Sequence, residues 1–285
     1  MAKDTPTFRD AQEAYEAGDI ETALAIADGL IGEDETKADP EVLWLAGECL
    51  LEMQEAHEAL HLFDAALKQD EHNPLLRHCR GLCLFELGRA DEAKALFQAV
   101  VESTDELAEP LFYLGLLAER EGDEAAARDY FAKAADRDPE NFVVPAEWSD
   151  EDVKAAFDAM VEECPEPLSL WLATLNVEVE ARPSDAMLQR GDEPISPLVL
   201  CLFEGEPGSG PEGDEPEGWL NARPERVVLY RSNLGKSAQD EYELAQEVFE
   251  AVLTETCEFL QLDDAQLEAL GVVEFEEGPD DEDVH

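Results

Sequence analysis

GECLLEMQEAHEALHLFDAA at residues 47–66 is followed by GLCLFELGRADEAKALFQAV at 81–100 and GLLAEREGDEAAARDYFAKA at 115–134. The three segments align without a gap, one every 34 residues. Gly47, Gly81 and Gly115 open them, and Ala59, Ala93 and Ala127 stand at a second shared place. Phe63, Phe97 and Phe131 stand at a third, and Ala66, Val100 and Ala134 close them. One amphipathic helix repeats about every 3.6 residues and would not hold four residue types in phase over so long a step. The period marks a stacked unit of two helices. Glycine and the first alanine suit a close crossing of two antiparallel helices. The phenylalanine and the next small residue are expected to fill the seam to the following hairpin.

The period and the order of residue types resemble the tetratricopeptide repeat, with Pro139 closing the last unit where that family's proline falls. A weaker copy runs from about Thr7 to Leu30, carried by Ala14, Tyr15, Gly18, Asp19, Ala23 and Ala27, and its spacing to the next is stretched by Gly32 to Pro40. Three good repeats and one degenerate, capping repeat are therefore expected over about 7–139, in a domain spanning 1–145. The resemblance implies a groove lined by the first helix of each hairpin. Carried over by register, its positions are Trp44, Glu48, Leu51, His78, Leu82, Phe85, Phe112, Leu116, Glu119 and Arg120. The set is aromatic and acidic. It lacks the lysines and arginines with which clamps of this family grip a C-terminal carboxylate. It fits an apolar or basic helix or peptide instead. The plain alternative is that Trp44, Phe85 and Phe112 are core between repeats.

The charge balance is extreme: 71 acidic residues against 19 basic ones, only seven of them lysine, for a formal net charge of -52. Such a chain repels nucleic acid and anionic lipid and attracts cations and basic proteins. Acidity for solvation in a salt-rich cytoplasm is the ordinary explanation. No stretch approaches the ~20 apolar residues of a membrane span, and Met1 to Asp10 has no signal-peptide core. Six scattered cysteines read as reduced thiols, so a cytoplasmic location is expected. Cys79 and Cys83, one helical turn apart beside His78, read as core rather than as metal ligands.

His57-Glu58-Ala59-Leu60-His61 spells HExxH, the zinc-peptidase signature. Here Ala59 and Phe63 are the packing positions of a repeat, which assigns the segment to the second helix of a hairpin. His72, the nearest third ligand, lies past that helix. The motif reads as a decoy.

After Asn141 the period stops. Ser149, with Asp152 three residues on, caps a predicted helix over Asp150 to Glu163, ended by Pro165 and Pro167. Strands are predicted at Leu175 to Val179, Pro197 to Phe203 and Arg226 to Tyr230, with a loop over Gly205 to Gly218. A long helix over Asp240 to Leu260 and a short one over Asp263 to Leu270 follow, then an acidic tail, 274–285, expected to be disordered. The order α, β, β, β, α predicts an α+β domain over 146–273.

Across about 150–272 this half resembles small bacterial zincin-like metallopeptidases, a minimal matrix-metalloproteinase-like fold. The landmarks are Cys164-Pro165, LNVEV at 175–179, Pro183, LCLFEGEP at 200–207, VVLYRSNL at 227–234, Glu243-Leu244-Ala245, Leu262-Asp263-Asp264 and LEALG at 267–271. The family's long helix carries a pattern like HExxHxxGxxD, which supplies two zinc histidines, the glutamate that polarises water and a distal aspartate. The corresponding places hold Thr254, Glu255, Glu258, Gln261 and Asp264. The resemblance thus implies a vestigial catalytic Glu255 and vestigial metal positions Glu258 and Asp264. Carboxylates without imidazole suit calcium, magnesium or manganese better than zinc, so no cofactor beyond a residual divalent ion is expected.

The expected architecture is an α-helical tetratricopeptide solenoid followed by a small α+β zincin-like domain. The expected function is a non-catalytic interaction module for a protein or peptide, binding neither nucleic acid nor membrane. The alternative is a divergent metallopeptidase that recruits substrates through its repeats. A chaperone-like binder of basic proteins rests on net charge alone.

Overall fold

The computed structural model describes residues 6–32, 37–188, 195–211 and 218–271, without the side chains of Asp185 and Asp264. The expected tail lies outside them. The chain divides into two compact units, Met1–Val144 and Pro145–His285.

The first unit is helical throughout its described elements: α1 (Phe8–Glu16), α2 (Ile20–Ile31), α3 (Pro40–Glu52), α4 (Ala56–Leu67), α5 (Pro74–Glu86), α6 (Ala90–Ser103), α7 (Glu109–Glu121) and α8 (Glu124–Arg137). The starts are written in the sequence. Asp19, Asp39, Asn73 and Asp123 cap α2, α3, α5 and α8 with side-chain oxygens on first-turn amides, and proline sits in the first turn of α3, α5 and α7, where no amide donor is needed. Successive pairs form antiparallel hairpins. The first helices also touch one another, α1 on α3 and α3 on α5.

The repeat glycines have a direct cause. A Cβ on Gly47 would fall 2.6 Å from the Phe63 ring, on Gly81 2.6 Å from Phe97, and on Gly115 2.5 Å from Phe131. The phenylalanine therefore fills the glycine notch of its own hairpin. Phe97 also stacks on Tyr113 of the next hairpin at 5.3 Å, so the expected seam role is half of what this position does.

The turn inside each hairpin needs a left-handed residue. Gly88 (φ 70°) and Gly122 (φ 79°) supply it, and Gln54 (φ 63°) stands at the equivalent place of the first good repeat.

The second unit comprises α9 (Asp150–Glu163), α10 (Leu168–Leu172), β1 (Val177–Glu180), α11 (Asp185–Leu188), β2 (Cys201–Glu204), β3 (Arg226–Tyr230), α12 (Arg231–Ser237), α13 (Glu241–Leu260) and α14 (Asp264–Ala269). Ser149 and Asp152 form the expected capping box of α9. The sheet order is β1-β3-β2, with β1 parallel and β2 antiparallel to β3. The central strand is buried from Val227 to Tyr230. Helices α9 and α13 pack on each other, and Val153, Phe157, Trp171, Leu229, Val248 and Val252 belong to their shared core with the sheet.

Three short helices, α10, α11 and α12, add to the elements expected from the sequence. Two strand starts also move. Leu175 closes the turn after α10 through its amide on Leu172 O, so β1 begins at Val177. Residues 196–199 form a turn closed by the Val199 amide on Ser196 O, so β2 begins at Cys201.

Candidate functional site

On α3, Glu41, Trp44 and Glu48 recur at helical spacing and share one face. Trp44 and Glu41 line a pocket of about 330 Å3 whose other walls include Phe8 and Gln12 of α1 and Leu75 and Leu76 of α5. The pocket therefore spans the first helices of three successive hairpins. Glu48 lies one turn further along. Its carboxyl is pushed above the ordinary range chiefly by burial; the Cys79 thiol, which donates to it, and His78 oppose this, while Glu109 and Glu52 add to it.

Three buried polar atoms gather here without a hydrogen-bond partner: Trp44 Nε1, Glu48 Oε1 and His78 Nδ1. The Trp44 indole approaches the Cys79 sulfur, yet its N–H meets no acceptor at bonding geometry. His78 is 2% exposed, and its Nε2 lies 2.6 Å from Glu109 Oε2. A carboxylate only accepts, so Nε2 carries the hydrogen. Burial drives the Cys79 thiol far up and the Cys83 thiol up to about 12, so both stay protonated and neither serves as a thiolate ligand.

The remaining groove positions divide by burial. Phe85 and Leu116 are buried, and Phe85 meets Tyr113 edge-on at 5.0 Å. Half-buried Phe112 lies 5.5 Å from Phe131 and from Phe142. Leu51, Leu82, Glu119 and Arg120 are half-buried. Trp44, Glu48, Phe112, Glu119 and Arg120 thus reach the surface of the first-helix face, while His78 and Phe85 support it from beneath. Sequence reasoning missed Glu41, Phe8 and Leu75. The Glu41–Trp44–Glu48 spacing was the signal for the first.

On α13 the family's catalytic places hold different chemistry. Exposed Thr254 turns its hydroxyl back to Glu250 O at 2.9 Å. Glu258 is exposed, and the Asp264 side chain lies outside the described residues. Half-buried Glu255 accepts the Phe203 amide on Oε2 at 2.8 Å. The Tyr230 amide bonds to Leu200 O. In an antiparallel pair such bonds alternate, so Phe203 directs its amide away from β3, to the open edge of the sheet. Glu255 caps that edge. Burial pushes its carboxyl up to about 7, with Glu258 adding and the Phe203 bond opposing. Among the described residues no group of three His, Cys, Asp or Glu could hold a metal ion. A threonine committed to its own helix and an exposed glutamate, in place of imidazoles, do not fit zinc.

The HExxH residues His57, Glu58 and His61 are exposed on α4. They border a depression of about 440 Å3 with Asp28, Leu24, Leu50 and Leu62.

Stacked two-helix repeats with a first-helix face are the architecture of the first unit. A profile described as tetratricopeptide repeat matches residues 80–142. One described as anaphase-promoting complex, cyclosome, subunit 3 matches 16–100, and one described as zincin-like metallopeptidase matches 172–272. The chain carries tetratricopeptide repeats over 16–142 and a zincin-like metallopeptidase domain over 172–272. No curated protein matches it. Solved structures similar to it include MamA from Desulfovibrio magneticus RS-1, at 24% identity over 54% of this chain and 80% of that one, TM-score 0.40. Another is a thermophilic tetratricopeptide protein of Thermus thermophilus, at 19% identity over 47% and 73%, TM-score 0.41. No helix among the described residues is long and apolar enough to cross a membrane.

Proposed function

We propose that the chain is a cytoplasmic, non-catalytic interaction module. Its first-helix face holds an apolar or basic segment of another protein, and its zincin-like domain is a retired active site that serves as a second surface. The observation that carries the second half is the engagement of Glu255. Its carboxylate accepts the edge amide of Phe203, and the neighbouring positions offer Thr254 and Glu258 in place of nitrogen ligands. Without a bound Lewis acid a carboxylate does not make water nucleophilic at neutral pH. The first half rests on Trp44, Glu48, Phe112, Glu119 and Arg120 sharing one face of the repeats. Capture of partners by wild-type protein and by a Trp44→Ala, Phe112→Ala double variant tests it. Loss of bound proteins from the variant is expected, and equal recovery would overturn the groove.

One observation favours a divergent metallopeptidase instead. A carboxyl titrating near 7 has the basicity a general base needs. In that reading, peptide hydrolysis by the purified protein would stop on Glu255→Gln.

A further inference from the structure

Resting on the groove reading above, we infer that Trp44, flanked by Glu41 and Glu48 on one face of α3, seats a single basic side chain of the bound segment, its alkyl stem against the pocket and its cationic head on the carboxylates. The pocket beside Trp44 supplies apolar walls from Phe8, Leu75 and Leu76 and an acidic rim at Glu41. The length of Arg or Lys, an apolar stem with a charged tip, matches that division. The Trp44 indole adds the face over which a cation is held.

Charge and unmet hydrogen bonding point to the same occupant. Glu48 Oε1 is buried without a donor. The charges that act on Glu48 are His78 on the favourable side and Glu109 and Glu52 on the unfavourable one. His78, almost wholly buried, keeps Nε2 on Glu109 and leaves Nδ1 without a partner. A buried polar atom in a native structure calls for a partner. Here the unmet acceptor is Glu48 Oε1, which calls for a donor, and a guanidinium or ammonium is donor only. The chain's net charge of -52 draws any cation toward its surface; the seat adds position to that attraction.

The test uses the full chain and two acetylated, amidated alanine–leucine dodecapeptides. One carries a central arginine and the other a central citrulline, its neutral isostere. Binding is read from the Trp44 indole N–H resonance, assigned through Trp44→Phe. The arginine peptide is expected to bind at least about fivefold tighter than its twin, as a charge-assisted contact does. Glu48→Gln should bring that ratio close to one without lowering the thermal midpoint. Glu58→Gln, which removes one charge from α4, should leave the ratio intact. Equal affinity of the two peptides for wild type would overturn the seat while leaving the groove standing. Loss of the preference in Glu58→Gln as well as Glu48→Gln would also overturn it, because the bulk field would then be the cause. Binding of neither peptide would overturn the seat and the groove together.

Discussion

The Phe97 ring occupies the space where a side chain on Gly81 would begin: a Cβ there would lie 2.6 Å from the ring. Phe97 is fully buried, so it has nowhere to yield. Gly81→Ala gains up to about 1 kcal/mol of helix propensity but overpacks a filled core, which costs about 1–3 kcal/mol. A net loss of up to about 2 kcal/mol by denaturant unfolding is expected, and Gly81→Ala with Phe97→Leu should recover part of it.

Gln54 adopts φ 63° where the next two repeats place Gly88 and Gly122. A left-handed non-glycine residue is strained by about 1 kcal/mol, and Gln54 is exposed. Gln54→Gly should raise unfolding free energy by about 0.5–1 kcal/mol. An unchanged or lower midpoint would mean that the turn is not limiting.

Arg226 on β3 bonds to Glu178 and Glu180 of β1 at 2.8 and 3.0 Å and to Glu204 of β2 at 2.7 Å. One cation thus ties all three strands and shields three carboxylates from one another. Its side chain is 29% exposed, so screening limits its worth. Arg226→Met should destabilise the second unit by about 1 kcal/mol. Added salt should narrow the gap between the two proteins, because it screens the carboxylate repulsion left behind.

The Glu255 carboxyl is raised from its ordinary value of 4.5 to about 7. Between those values the folded protein holds the extra proton, so stability falls as pH rises through that window and levels off above it. Glutamine does not titrate there and still offers an oxygen to the Phe203 amide. Glu255→Gln should therefore be more stable than wild type by about 1–2 kcal/mol at pH 8 and no more stable at pH 4.5. Thermal melts at the two pH values read this directly. Lower stability at pH 8 would mean that the charge itself is needed.

The repeat half was legible because Gly81 and Phe97 constrain each other at fixed spacing, and that pair recurs with the period. The Ser149 cap of α9 is local and was legible too. Helix α10, LSLWL after Pro167, escaped because five residues make too little of a period to read. Helix α12 escaped because RSNLGKS directly continues a strand with no break between them. At the candidate sites, residue types were readable and partners were not. Glu255 meets Phe203 across 52 residues of chain, and Glu48 meets the Cys79 thiol from a different hairpin. Such pairings depend on register and burial, which a single sequence does not state.

Metal analysis of the purified full chain, paired with a peptide-hydrolysis assay on wild type and Glu255→Gln, bears most directly on the retired active site. Far less than one zinc per chain and no cleavage by either protein is the predicted result. One tightly held zinc per chain, with cleavage that disappears in Glu255→Gln, would contradict it and make the repeats the recruiting arm of a working peptidase.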